Sequence, residues 1–344
     1  MNFQNIKRKK QKREAEESSE DSYDLEELKQ QFMAIVAKIT KENDRIDFIS
    51  FVSEHLDLNI EDTEHDPTQD ESQDDVKLAT IIQDLKDHMP SIDCIAPNEK
   101  TIIPKNDNFK GYTKENTINV DSFLYTDDEI DDLVEAGKLK NNYCLDCKSY
   151  NVKPLNFISH STSPQLLKFV FSDGVLSGDQ SKKVFLDIGS RLGSVLYTGY
   201  LFSNIKQLVG IELDKFFYDL QCDMVKKYDM NDRIKLVHGD ILKNEALIKN
   251  ADIIFMNNVF EFFESDLKVH IGFWNKLKEL TLGRKSVRII SIPSIQDIFK
   301  YNKLGLSLKG WLKEVHLHPE HLKHLDDDGI DEFKDLHLYQ ICKK

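Results

Sequence analysis

From residue 182 onward the chain alternates between two kinds of pattern, and that alternation constrains its fold more than anything else in the sequence. Short apolar runs rich in β-branched residues fall at 184–188, 207–213, 233–237, 251–256 and 286–292. Between them lie stretches with apolar residues at helical spacing, at 193–202, 215–228, 242–249 and 265–280. A strand that returns to its own sheet through a helix must return parallel, so strict alternation predicts a parallel sheet covered by helices on both faces. Two later runs, "WLKEVHLH" from Trp311 and "LHLYQIC" from Leu336, predict two further strands. The fold class expected is doubly wound α/β.

The 150 residues ahead of this region read differently. Residues 1–150 hold 19 Lys/Arg against 35 Asp/Glu, a balance of −16, whereas residues 151–344 hold 27 against 25, a balance of +2, so the acidity behind the net charge of −14 belongs to the front. Residues 1–24 read as a disordered tail with the basic cluster "KRKKQKR", a candidate import signal or electrostatic tether. Residues 25–150 read as an acidic, partly helical region. It has helices expected within 25–58, a linker at 61–75, helices at 76–88 and 125–139, and a loop over 98–120. Residues 151–344 form the expected α/β domain. No apolar run has the roughly 18 residues of a membrane span, and no apolar segment follows the charges of the first 20 residues. Five cysteines do not make a disulfide framework, and the expectation is a reduced, intracellular protein of nucleus or cytoplasm.

In a doubly wound sheet, ligands bind beyond the carboxyl ends of the strands. The first strand ends in "DIGSRLG", Asp187 to Gly193. Gly189 tolerates positive φ and close approach of a ligand, and Gly193 permits tight packing of helix on strand. The second strand ends at Glu212, 23 residues after Gly189, where an acid can accept both hydroxyls of a ribose. The third ends in "VHGDI", with Asp240 placed for an adenine amino group, and the fourth in "ADIIFMNNVFEFF". A dinucleotide turn wants G-x-G-x-x-G, which "GSRLGS" does not supply.

These four stretches resemble the successive motifs of the class I, seven-strand S-adenosylmethionine methyltransferases, over roughly residues 155–344. The resemblance implies a mostly parallel seven-strand sheet whose last strand is antiparallel, with S-adenosylmethionine as cofactor. It implies that Asp187, Gly189, Ser190 and Gly193 hold the methionine end, that Glu212 with Leu213 binds the ribose, and that Asp240 and Ile241 bind the adenine. Asn257 would face the sulfonium and the substrate. The family turn is usually D-x-G-x-G-x-G, and here Arg191 stands at the middle glycine, to point to solvent or to contact the cofactor carboxylate. "LNFISHSTSPQLLKFVF" looks like the helix that caps the cofactor site in that family; His160 and Ser161 would reach cofactor or acceptor, and Ser163 would cap a helix starting at Pro164.

Methyl transfer from a sulfonium needs alignment and exclusion of water more than a nucleophile. An amine acceptor must also lose a proton. Asn257 and Glu261 are the catalytic candidates, as an orienting amide and a base, with Phe260, Phe262 and Phe263 either walling a pocket or filling core. "NNVF" lacks the two prolines of nucleic-acid amino methyltransferases. "IIFMNNVFEF" is similar to the matching segment of the disruptor-of-telomeric-silencing family of histone lysine methyltransferases, which leans the expectation toward a protein acceptor. A basic partner would suit the acidic front region. The rival readings are an RNA or small-molecule methyltransferase and a non-catalytic module that kept the fold. The first would use Lys276, Lys278, Arg284, Lys285 and Arg288 as a basic patch, and Arg191 favours the second. "CLDC" (Cys144, Cys147), with Cys94 or His160, and the histidines 316, 318, 321 and 324 lack the spacing of a metal site, so no metal is expected.

Overall fold

A computed structural model of the chain describes residues 72–89, 92, 97, 103, 109–145, 152–259, 266–317 and 333–342, all within one compact unit, Glu71–Lys344. The expected tail, the helices within 25–58, and Cys94, Cys147, Glu261, Phe260, Phe262, Phe263, His318, His321 and His324 lie outside the described residues.

The first described helix, α1 (Gln73–His88), starts inside the stretch expected to be linker. Ser72 explains the early start: its Oγ accepts the N–H of Asp75, and Asp74 and Asp75 sit in the first turn, where the helix dipole favours acids. A three-residue strand, β1 (Thr117–Asn119), follows, where a loop was expected. Helix α2 (Asp127–Glu135) carries a full capping box, Thr126 with Glu129, as the acids of its first turn suggested. Strands β2 (Asn142–Cys144) and β3 (Val152–Pro154) pair antiparallel, and β4 (Asn156–Ile158) pairs parallel with β1. Helix α3 (Pro164–Val170) begins as expected, with Ser163 accepting the N–H of Leu166 and proline in the first turn.

The main body follows as β5 (Val184–Ile188), α4 (Ser194–Phe202), β6 (Gln207–Glu212), α5 (Lys215–Lys227), β7 (Ile234–His238), a 3-10 turn (Ile241–Lys243), α6 (Glu245–Asn250), β8 (Ile253–Asn257), α7 (Leu267–Thr281), β9 (Arg288–Ile292), α8 (Ile295–Tyr301), β10 (Leu312–Val315) and β11 (His337–Ile341). The strand order is β10-β11-β9-β8-β5-β6-β7. Only β11 runs against its neighbours, β9 and β10. Because β5 leads first outward to β6 and β7 and the chain then returns to β8, the strand order reverses between β5 and β8. The carboxyl ends of those two strands therefore open a crevice.

Alternate side chains of each strand feed two cores. Phe185, Leu208, Phe255 and Ile290 face α1, α3, α4 and α5, while Leu186, Val209, Ile254 and Ile289 face α6, α7 and α8. Helix α4 is buried over most of its length because α1 lies across it through Leu78, Ile81 and Leu85. Polar ties fix α1 further: Asp84 meets Tyr228 and Lys227, Lys86 meets Glu129 at 2.6 Å, and Asp75 meets Lys168. Among the described residues no helix is long and apolar enough to cross a membrane.

Candidate functional site

The turn between β5 and α4 is a backbone structure first. Gly189 and Gly193 have φ of 78° and 81°, the left-handed region that glycine enters at little cost. The carbonyl of Ile211 in β6 accepts both the Gly189 and the Ser190 N–H, at 2.9 and 3.2 Å, which pins the turn to the neighbouring strand. A Cβ at Gly193 would lie 2.6 Å from the ring of Tyr197, so that residue lets α4 start hard against its own first turn.

Asp187 lies at the carboxyl end of β5, 2 % exposed, and among the described residues its Oδ2 and the Oγ of Ser190 have no hydrogen-bond partner. Burial, and then the charge of Glu212, push the Asp187 carboxyl well above the usual carboxylate range. A buried acceptor of this kind fits a cationic donor. Glu212 is also buried, and burial raises its pKa against the help of two amides. Its Oε2 accepts the Arg191 N–H and its Oε1 the Asp214 N–H, both at 2.7 Å. Each oxygen keeps a further lone pair, so the carboxylate is held in one orientation and can still accept two hydroxyls. Leu213, 68 % exposed, stands next to it. Asp240 caps the 3-10 turn by accepting the Leu242 N–H at 2.9 Å, and Ile241 is buried beside it.

Arg191 does not point to solvent. It is 7 % exposed at φ 41°, its guanidinium lies 4.5 Å over the ring of Phe217, and its Nε is 3.9 Å from Asp121 Oδ2. The aromatic face of Phe217 and a buried carboxylate make this place hospitable to a guanidinium. His160 joins this group. Burial, and then the Arg191 charge, pull its pKa down to about 3, so it is neutral near pH 7 and too weak a base to take a proton there.

Across the crevice, Asn257 ends β8. Its Nδ2 donates to Thr162 Oγ1 at 2.9 Å, and its Oδ1 accepts from Asn258 Nδ2 at 3.2 Å. Thr162 belongs to the segment between β4 and α3, so that segment meets the end of β8. The structure thus gathers Asp187, Gly189, Ser190, Arg191, Gly193 and Glu212 at one turn, with Asn257 tied to the segment that carries His160. Asp121, Thr162, Phe217 and Gln221 escaped the sequence. Asp121 falls between the stretch expected to be loop and the helix expected from 125, and only its burial distinguishes it.

The strand order, with β11 alone antiparallel, is that of the class I methyltransferases: the chain has the seven-strand, Rossmann-like fold of that class. No family model and no curated protein matches the sequence. Among solved structures it is similar to an O-methyltransferase from Bacillus cereus in complex with SAH (16 % identity, 54 % of this chain and 84 % of that one, TM-score 0.35). It is likewise similar to an RNA methyltransferase from Salinibacter ruber (15 %, 54 % and 94 %, 0.34) and a tRNA (m1A58) methyltransferase from Aquifex aeolicus (15 %, 54 % and 72 %, 0.37). The assignment of the fold rests on topology rather than on these distant likenesses.

Proposed function

We propose that the chain is an S-adenosylmethionine-dependent methyltransferase with an amine of a protein as acceptor. The observation that carries the cofactor is the buried, unpartnered Asp187 Oδ2 at a two-glycine turn, with a doubly oriented Glu212 on the adjacent strand. Asp187 would accept from the ammonium of the methionine end, Glu212 from the ribose hydroxyls, and Asp240 from the adenine amino group, with Ile241 and Leu213 as apolar flanks. When bound, the cofactor supplies a methyl group on a sulfonium. The protein's part is to align the acceptor and keep water out, in which Asn257, held by Thr162, orients the acceptor. Burial disfavours protonation of His160, which makes it a poor base, and Glu261 is the candidate base from the sequence.

The protein acceptor is supported by the "NNVFEF" segment and by the acidic front region. Three of the five basic residues that would serve RNA are engaged elsewhere, Arg288 among them through the Lys285 and Val287 carbonyls. Lys276 pairs with Glu245 and Glu279, and Arg284 donates to the Ile248 and Ala251 carbonyls ahead of β8, at the end of the sheet opposite the crevice. Calorimetric titration of S-adenosylmethionine into wild type and Glu212→Ala tests the cofactor. Micromolar binding weakened about tenfold or more, about 1.4 kcal/mol, is expected; no binding to the wild type overturns the reading. Label from the methyl-labelled cofactor in a basic-protein pool, and not in RNA, would support the acceptor class; label in RNA alone would overturn it.

A further inference from the structure

Arg191 is held at four points. Its N–H donates to Glu212 Oε2, and its carbonyl accepts from Gln221 Nε2, each at 2.7 Å. Its guanidinium stacks on Phe217, and it lies beside Asp121. Asp121 comes from outside the seven-strand sheet. It follows β1, is fully buried, and is oriented by the Ser161 hydroxyl at 2.6 Å and the Phe123 N–H at 3.0 Å, both donating to its carboxylate. Burial raises its pKa, with the Arg191 charge acting against that rise.

A non-glycine residue at φ 41° is unfavourable unless its surroundings over-determine it. Here the side chain does so, in a turn whose two glycines would otherwise leave it loose. We propose that Arg191 and Asp121 are positioning residues for the cofactor. The buried pair lets the segment upstream of the sheet hold the turn, and through the Arg191 N–H the Glu212 carboxylate, in its binding shape. The inference rests on the cofactor reading above. It makes cofactor affinity depend on a residue 70 positions from the turn, through a chain of contacts that runs from Asp121 to the Arg191 side chain, to its backbone, to Glu212.

The test is calorimetric titration of S-adenosylmethionine into the full chain and its variants, at a temperature where circular dichroism shows each folded. Asp121→Asn removes the buried carboxylate beside the arginine and Arg191→Gly removes the guanidinium beside the aspartate, so each is expected to weaken binding about tenfold or more. In the double variant neither charge is left alone and glycine accepts the turn, so binding is expected to be no weaker than in the worse single variant. A product of the two single losses, or unchanged affinity with only a lower Tm, overturns the inference while leaving the cofactor reading intact. Absence of binding to the wild type overturns both. Arg191→Lys keeps the charge but loses the planar stack, and serves if either other single variant fails to fold: weakened binding supports the inference and unchanged binding overturns it.

Discussion

His160 makes the stability of the protein depend on acid through a single buried ring, and the effect can be sized. Its pKa falls from 6.5 to about 3 in the folded chain. The folded state therefore keeps the ring neutral at pH values where the unfolded chain takes up a proton. For such a group the stabilising contribution is complete above the unfolded value of 6.5 and is lost as pH falls toward about 3. At pH 5 the loss comes to about 2 kcal/mol, and at the lower end to about 4 kcal/mol. Against a typical domain stability of roughly 5–15 kcal/mol, this is a large fraction. The carboxyls of Asp187, Glu212 and Asp121 work in the opposite sense. Their folded pKa values are raised, so acid favours their folded form, and the acid limb of the wild type alone would mix the two effects. The comparison that isolates the ring is with His160→Asn, which keeps a polar side chain and cannot titrate. Urea unfolding of both proteins at pH 7.5 and pH 5 should show the wild type losing about 2 kcal/mol more than the variant. Parallel losses would mean that the ring is already solvated or paired as a cation, and would refute the reasoning.

Cofactor affinity should rise with pH. An ammonium beside Asp187 favours its ionised form, so binding releases the proton that burial holds in the free protein. The rise begins above the ordinary carboxylate range and levels off past the raised value; titrations in buffers of different ionisation enthalpy should report that proton, and none released would sink the assignment. Gly193→Ala places a Cβ 2.6 Å from the Tyr197 ring at φ 81°, and should cost about 1–3 kcal/mol in thermal or urea unfolding along with cofactor affinity. Gly272→Ala, on the exposed face of α7 with nothing within 4 Å, should be neutral or stabilising by up to about 1 kcal/mol, and equal costs at both sites would discredit the steric account. Thr162→Val removes the acceptor that holds Asn257. Methyl transfer should slow about tenfold while S-adenosylmethionine affinity stays within about threefold, and a matched loss of both would reassign Thr162 to the cofactor.

Much of this protein is local in its causes, and that much could be read from the chain. A run such as "VFLDI" has one way to bury its alternate side chains on two faces, so the strands of the main sheet fall within a few residues of where the pattern puts them. A polar residue ending such a run must lie at the sheet's carboxyl edge, which is why Asp187, Glu212, Asp240 and Asn257 could be placed there in advance. Ser163 and Thr126 announced their helices for the same reason, because a cap acts on the turn that follows it. What the tertiary structure decided is everything that depends on residues far apart in sequence. Strands β1 and β4 are three residues each and exist through pairing across about forty positions. Asp121 looks like one acid among many until the fold buries it. Arg191 looks like a defect in a glycine turn, yet Phe217 and Asp121 give it a place. Burial turns an ordinary aspartate, histidine and arginine into a connected cluster, because removing water is what makes their charges and hydrogen bonds depend on one another, and only the folded chain removes it.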